Sequence, residues 1–338
     1  MPEFRVLITI FHLLLLGSFA LSQDANQDSD HPPACVTYAR VQIPVADLPT
    51  PQDRKALASC KSENLYFGFD RPPDPVAARK CAYLARDAGE ETIFGGTSLL
   101  TMIYANGKGA TRDFDLALRF ACELTHAPAE NYGRFDHLLK LKAEQWTGDD
   151  FNLCDDATSG YMQGACAALQ EKFDRVARAQ KLSKIVERWS PAERTAFSEL
   201  QRAAEKFFEA SAENEVDLSG TARAAFEIEA KASLEDGFVA ALEKFARGDL
   251  PNYSPSDFAR ADAELNSAYS AIQAKKPDAP DVPFGTLTPQ GIQIAERAWL
   301  AYREAWVKFG QVKYPGVAAH SWRAWLTRER LQMLSSPD

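Results

Sequence analysis

From Asp74 to the C-terminus, apolar residues return every three or four positions, the spacing that lines one face of an α-helix, and the alternation expected of a strand is almost absent. The clearest case is the stretch AERAWLAYREAW at 295–306 and its continuation. Ala295, Ala298, Trp299, Tyr302, Ala305, Trp306 and Phe309 form one narrow stripe, and Glu296, Arg297, Glu304 and Lys308 lie away from its centre. Such a stripe is either the inside of a small helical bundle or an exposed docking surface. A short bundle must bury large side chains to be stable, and each aromatic withdraws about 150–250 Å² from water. Core packing is therefore the favoured reading, and the fold class expected is all-α.

The elements can be placed by their punctuation. DPVAARKCAYLARDAG has Pro75 at a helix start and Gly89 as a stop. TSLLTMIYANGKG follows, with apolar residues at 99, 100, 103 and 104 and with Gly107 and Gly109 able to take the positive φ that ends a helix sharply. A third helix begins in TRDFDLALRFACEL, acidic near its N-terminus. Its DFDLALRFACEL echoes DPVAARKCAYLA thirty-nine residues earlier, the mark of repeated helix pairs. Tyr104, Gly107, Gly109, Asp113 and Ala117 give this segment, about 74–125, a resemblance to Sel-like repeats, short relatives of tetratricopeptide repeats, which implies a protein-interaction scaffold; an ordinary helical hairpin is the alternative.

Beyond residue 150 lie two similar passages. The first runs from CDDATSGYMQGACAAL through SPAERTAFSELQRAAEKFFEA to DLSGTARAAFEIEAKASLEDGF. The second runs from SPSDFARADAELNSAY through LTPQGIQIAERAWLAYREAW to YPGVAAHSWRAWLTRERLQML. Each reads helix, proline-led helix, glycine turn, helix, with Gly220 and Gly316 ninety-six residues apart in corresponding places. A duplicated three-helix unit is expected.

The second passage, about 256–334, resembles the lysozyme inhibitor LprI family. The residues that carry the likeness are Asp262, Leu265, Asn266 and Tyr269 on its first helix, Trp299, Tyr302 and Arg303 on its second, and Thr327 and Arg330 on its last. The earlier passage, 154–246, is a weaker copy that keeps the family's early cysteines as Cys154 and Cys166. The resemblance implies an exported protein that blocks a lysozyme by binding it. A structural role for the polar members also follows from their chemistry. Asp262 and Asn266 are one turn apart on one helix, and Arg303 lies on a helix expected to run antiparallel to it, so a carboxylate, an amide and a guanidinium can form one cluster that fixes register. Direct or water-bridged contact between Asp262 and Arg303 is the expectation. Lys313 and Tyr314, near the glycine turn, are the residues offered as able to reach into a partner's cleft.

Compartment and partner chemistry come from the remaining signals. Arg5 and the apolar run VLITIFHLLLLGSFALS, closed by the small residues Ala20 and Ser22, read as an export signal cleaved after Ser22; an uncleaved anchor helix is the alternative. No Cys follows the run to carry a lipid, and no second run is long enough to span a bilayer. Residues 23–34 read as a polar leader. Six cysteines, an even number with no C-x2-C pair, favour disulfides over zinc. Cys154 with Cys166 is the pairing singled out. A continuous helix would hold them about 18 Å apart, but the chain can reverse at DATSG, 156–160, with Ser or Thr capping the next helix. The connectivity of Cys35, Cys60, Cys81 and Cys122 stays open. The net charge of −9 argues against nucleic acid and anionic membranes and suits a cationic protein such as a lysozyme, though it also serves solubility alone.

Catalytic signatures are missing from the sequence. His31, His126, His137 and His320 make no close ligand pair, and no nucleophile elbow, phosphate loop or dinucleotide fingerprint occurs. His137 beside Asp136 reads as a helix-surface residue. The expected organisation is a signal peptide at 1–22, a leader and irregular segment at 23–73, a helical repeat region at 74–150, and two three-helix units at 151–250 and 251–338. The expected function is a periplasmic or secreted binding protein that needs no cofactor or metal and inhibits a lysozyme. A non-inhibitory envelope scaffold built on the repeat is the alternative.

Overall fold

Serine or threonine followed by proline marks where the long C-terminal helices begin. Ser190 and Ser254 each accept the N3 backbone N–H while the N3 carboxylate of Glu193 or Asp257 accepts the cap's own N–H, and Pro191 and Pro255 preset the first helical φ. Thr288 caps the helix begun by Pro289 by accepting from the Gly291 N–H. Asp74 does the same for the helix at Pro75, and Ser159 for the helix at Gly160.

The computed structural model describes residues 30–90, 92–274 and 285–335. The expected signal peptide, 1–22, and residues 23–29 of the leader lie outside them. Among the described residues the fold is all-α, with thirteen α-helices and no strand. They are α1 (Cys35–Tyr38), α2 (Pro51–Ala56), α3 (Ser62–Phe67), α4 (Pro75–Asp87), α5 (Gly96–Asn106), α6 (Phe114–Ala121), α7 (Pro128–Ala143), α8 (Gly160–Val186), α9 (Pro191–Asn214), α10 (Arg223–Ala246), α11 (Pro255–Gln273), α12 (Pro289–Lys313) and α13 (Ala319–Ser335). The stretch read as irregular, 35–73, contains three short helices. None is long enough to show a period in sequence. Cys35 in α1 bonds Cys122 after α6, Cys60 between α2 and α3 bonds Cys81 in α4, and Leu65 and Tyr66 of α3 enter the first core.

Two cores result. The first gathers Tyr83, Leu99, Leu100, Ile103, Tyr104 and Phe120 with the start of α8. Here α4, α5 and α6 pack in sequence. Gly107 (φ 67°) ends α5, and Gly109 (φ 92°) lies so close to the Pro75 carbonyl oxygen that a Cβ would sit 2.2 Å from it. The Tyr104 hydroxyl meets that of Tyr83 at 2.7 Å, and Asp113 caps α6. Cys154 and Cys166 are bonded, with Cα atoms 5.7 Å apart across the reversal that Ser159 caps, and they pack against this first core.

The second core is shared by two helix triplets. In the first, α8 lies beside α10 and parallel to it. Gly160 approaches Thr221, Gly164 approaches Ala224, and Arg178 pairs with Glu235 at 2.7 Å and Asp236 at 3.0 Å. In the second, α11 lies beside α13 in the same sense, with Tyr253 N–H donating to Ser321 Oγ and Asp257 pairing with Arg328 at 3.6 Å. The middle helices α9 and α12 form the most extensive contact in the molecule and run antiparallel, from Glu193 beside Lys313 to Asn214 beside Gly291. The glycine turns differ: Gly220 has φ 87°, whereas Gly316 is not in the left-handed region.

The aromatic stripe is interior. Trp299 is 2% exposed and Trp306 and Phe309 are 0%. Its partners come largely from the other triplet: Tyr302 stacks on Phe207 at 5.3 Å, and Trp306 meets Phe238 at 5.5 Å and Phe245 at 5.6 Å. The 27-residue α8 joins the two cores, placing Met162 and Leu169 in the first and Leu182 and Ile185 against the second.

Candidate binding site

On α11, Asp262, Leu265, Asn266 and Tyr269 fall at i, i+3, i+4 and i+7 and share one face. On α12, Glu296, Trp299 and Arg303 share another. These faces look at each other across a half-open groove of about 250 Å³, lined by Asp262, Leu265, Asn266, Tyr269, Gln293, Glu296, Arg297, Trp299, Leu300 and Arg303. The groove exists because α11 packs along α13 and not closely along α12. The expected cluster therefore spans a gap instead of a tight helix pair. Only Ala261 and Leu265 of α11 are buried, so little apolar surface draws that helix inward.

Arg303 crosses the gap. Its Nη1 donates to Asp262 Oδ1 at 3.4 Å and to Thr327 Oγ1 at 3.5 Å, its Nε donates to Glu304 Oε1 at 3.2 Å, and the guanidinium lies 5.0 Å from the centre of the Trp299 ring. Asn266 Nδ2 donates to Asp262 Oδ2 at 3.2 Å. Asp262 and Arg303 thus meet, but at the long end of hydrogen bonding and with the Asp262 side chain 40% exposed. Glu304 is tied more firmly by Arg323, whose Nη2 lies 2.7 Å from Oε2, and this hydrogen bond holds the Glu304 carboxyl below its ordinary pKa.

Under the groove is a buried ionic centre. Arg330 is fully buried; its Nε donates to Glu296 Oε2 at 2.9 Å, its Nη1 to Glu215 Oε2 at 2.8 Å and its Nη2 to Glu215 Oε1. Burial works against the arginine's charge, but the hydrogen bonds and charges of Glu215 and Glu296 outweigh it and hold the pKa above the usual value. For Glu296 the balance goes the other way: burial raises its pKa, Arg330 opposes, and the Glu215 charge adds to the rise. Glu296, read from sequence as off the apolar stripe, is 9% exposed. Neither it nor Glu215 stood out in sequence. Glu215 lies after α9, in the other triplet, and no local spacing connects it to Arg330.

Of the nine motif residues, six line the groove: Asp262, Leu265, Asn266, Tyr269, Trp299 and Arg303. Tyr302, Thr327 and Arg330 are buried beside it. Lys313 and Tyr314 do not line it. The Lys313 ammonium pairs with Glu193 Oε1 at 2.9 Å and lies over Trp189, and Tyr314 packs on Trp322, so both are engaged inside the molecule and do not stand free at the turn. His137 Nδ1 pairs with Asp156 Oδ2 at 3.2 Å. Among the described residues no group of three or more His, Cys, Asp or Glu is arranged to hold a metal.

These features define a class first: an all-α protein with three disulfides and a charged groove on its C-terminal triplet. Comparison with known families then finds a likeness within that triplet. Residues 248–334 match the family model described as Lysozyme inhibitor LprI. The match spans α11, α12 and α13, and with them the groove and all nine motif residues; it does not extend to 74–125, where the expected Sel-like repeat is not confirmed, nor to the earlier passage at 154–246. No curated protein and no solved structure matches the chain.

Proposed function

We propose that the chain is exported to the periplasm or beyond and there binds and inhibits a lysozyme through its C-terminal triplet. The observation that carries this reading is the coincidence of the lysozyme-inhibitor family match with the groove, since the residues that resemble the family are those that line the groove or support it. Three disulfides suit an oxidising compartment. The apolar N-terminal run suits export, although it lies outside the described residues. No described helix is long and apolar enough to cross a membrane. A net charge of −9 favours encounter with a cationic enzyme. The role is that of a binding protein, not a catalyst.

The test is a titration of the purified chain, lacking residues 1–22, against a panel of cationic lysozymes of different classes, with cell-wall lysis and direct binding both measured at low and high salt. Saturable inhibition that weakens as salt rises is expected. Absence of binding to every lysozyme at low salt overturns the reading and leaves the envelope scaffold, with the helical segment 74–125 as its working surface.

A further inference from the structure

Building on the lysozyme-binding reading, we propose that the groove between α11 and α12 is a socket for one basic side chain of the partner, an arginine or a lysine, with the Glu296 carboxylate as its base. Glu296 gives one oxygen, Oε2, to Arg330; its other oxygen takes no hydrogen bond among the described residues and is not sealed from solvent, and the residue borders the groove. Below it, two carboxylates, Glu215 and Glu296, share the single guanidinium of Arg330. That arrangement leaves one negative charge in excess in a nearly closed place, where a second cation has the largest effect. Burial together with the Glu215 charge already disfavours ionisation of Glu296.

The cations nearby do not meet this need. Arg303 favours the Glu296 charge only through space and makes no hydrogen bond to it, being committed to Asp262, Thr327 and Glu304. Arg297 follows Glu296 directly in the helix and is exposed, and adjacent helical residues do not face each other. The walls suit an incoming cation. The Asp262 carboxylate is partly exposed at the mouth, and Tyr269 contributes an aromatic ring. At about 250 Å³ the space falls below the usual range for small-molecule pockets and is sized for one side chain.

The experiment uses the full exported chain with two probes: a lysozyme that it binds, and L-arginine amide followed through the indole resonance of Trp299. Asn266→Arg, at an exposed position, plants a guanidinium in the groove. Glu296→Gln keeps an oxygen for Arg330 and removes the charge. Glu213→Gln, exposed on α9, is the control. Both groove variants should weaken lysozyme binding by about thirtyfold or more, as for loss of one member of a buried charge pair, and the control should not. Asn266→Arg should melt no lower than the wild type, and arginine amide should shift the Trp299 resonance in the wild type and not in Asn266→Arg. If lysozyme binds both groove variants as well as the wild type, the socket is wrong and the lysozyme reading stands. If no lysozyme binds but arginine amide still titrates the groove, the socket stands and the lysozyme reading falls. A groove that takes N-acetylglucosamine oligomers and ignores arginine amide overturns the proposal.

Discussion

Replacing Arg330 by methionine tests how the interior of the C-terminal bundle is held. The guanidinium is fully buried, joins the end of α9 to α12 through Glu215 and Glu296, and lies 5.5 Å from the Phe207 ring. Methionine keeps much of the apolar volume, so the loss falls on the charges. Two carboxylates, each with only 12% of the side chain exposed, are left facing one another without a cation. Removing one partner from a buried ionic cluster typically costs about 3–5 kcal/mol, and that is the destabilisation expected at pH 7.5. Five of the six tryptophans (Trp189, Trp299, Trp306, Trp322 and Trp325) lie in or against the second core, so urea unfolding followed by tryptophan fluorescence reports this bundle.

The deficit should depend on pH. Glu296 already has a raised pKa in the native protein, and without Arg330 the main opposing attraction is gone, so the pKa climbs further. A carboxyl with a folded pKa above its unfolded value binds a proton in the native state that the unfolded chain has released. Stability then rises as pH falls through the raised pKa toward 4.5. The gap between wild type and Arg330→Met should narrow from pH 7.5 to pH 5.5, with a limiting slope of about 1.4 kcal/mol per pH unit for each proton. Converting Glu215 and Glu296 to glutamine in the same variant should recover most of the loss. A deficit under about 1 kcal/mol at pH 7.5, or one that stays constant with pH, would show that the centre is not closed to water as described.

Gly310→Ala should lower the melting temperature. Helix propensity alone favours alanine by about 1 kcal/mol, but a Cβ at Gly310 would lie 2.5 Å from Cε2 and Nε1 of Trp322, a ring hemmed in by Trp306 and Phe245, and overpacking costs about 1–3 kcal/mol or more; a raised melting temperature would refute the contact. Asp262→Asn should change folding stability by less than about 1 kcal/mol in urea, because the pair with Arg303 is long and partly exposed. The Asp53 carboxyl, held down to about 2 by hydrogen bonds from Thr50 and Lys80, should titrate near that value by NMR and move back toward 3.8 in Lys80→Met. Its contribution to stability is present above the unfolded pKa and lost as pH falls from about 4 to 2.

The all-α class was legible because the apolar period of three to four residues holds over most of the chain and the Ser-Pro and Thr-Pro starts fix where helices begin. The stripe through Trp299 and Trp306 was rightly read as interior for the same reason. What covers it was not legible. Tyr302 rests on Phe207 and Trp306 on Phe238 and Phe245, and these are contacts across the two triplets that no period within either can reveal. The same holds for Glu215 with Arg330, 115 residues apart. The groove was hidden for a different cause. Spacing places Asp262, Asn266 and Arg303 on facing helices, but it does not say that α11 leans on α13 and stands off from α12. The short helices at 35–67 escaped because each spans only four to six residues, too few to show an apolar period, and part of what fastens them is Cys35 and Cys60, whose partners lie 87 and 21 residues away.

Helix α12 has two duties, and its two sides keep them apart. One side carries Tyr302, Trp306 and Phe309 into the core built with α9 and α10, so the segment that matches the inhibitor family is completed by helices outside the match. The flank that carries Glu296, Leu300 and Arg303 borders the groove. Both carboxylates of the interior ionic centre are ordinary in sequence, yet only Glu296 has access to the groove, while Glu215 is turned to Arg330 and to Ser211 Oγ at 2.7 Å. The family-like triplet therefore draws its rigidity from the first triplet and keeps its polar residues at an opening that its own packing leaves unfilled. An α11 packed tightly on α12 would seal Asp262 and Glu296 away from any partner, and Arg303 and Arg330 would then have to balance them alone. The gap between the two helices is what lets charge of that kind persist here with one carboxylate oxygen still open.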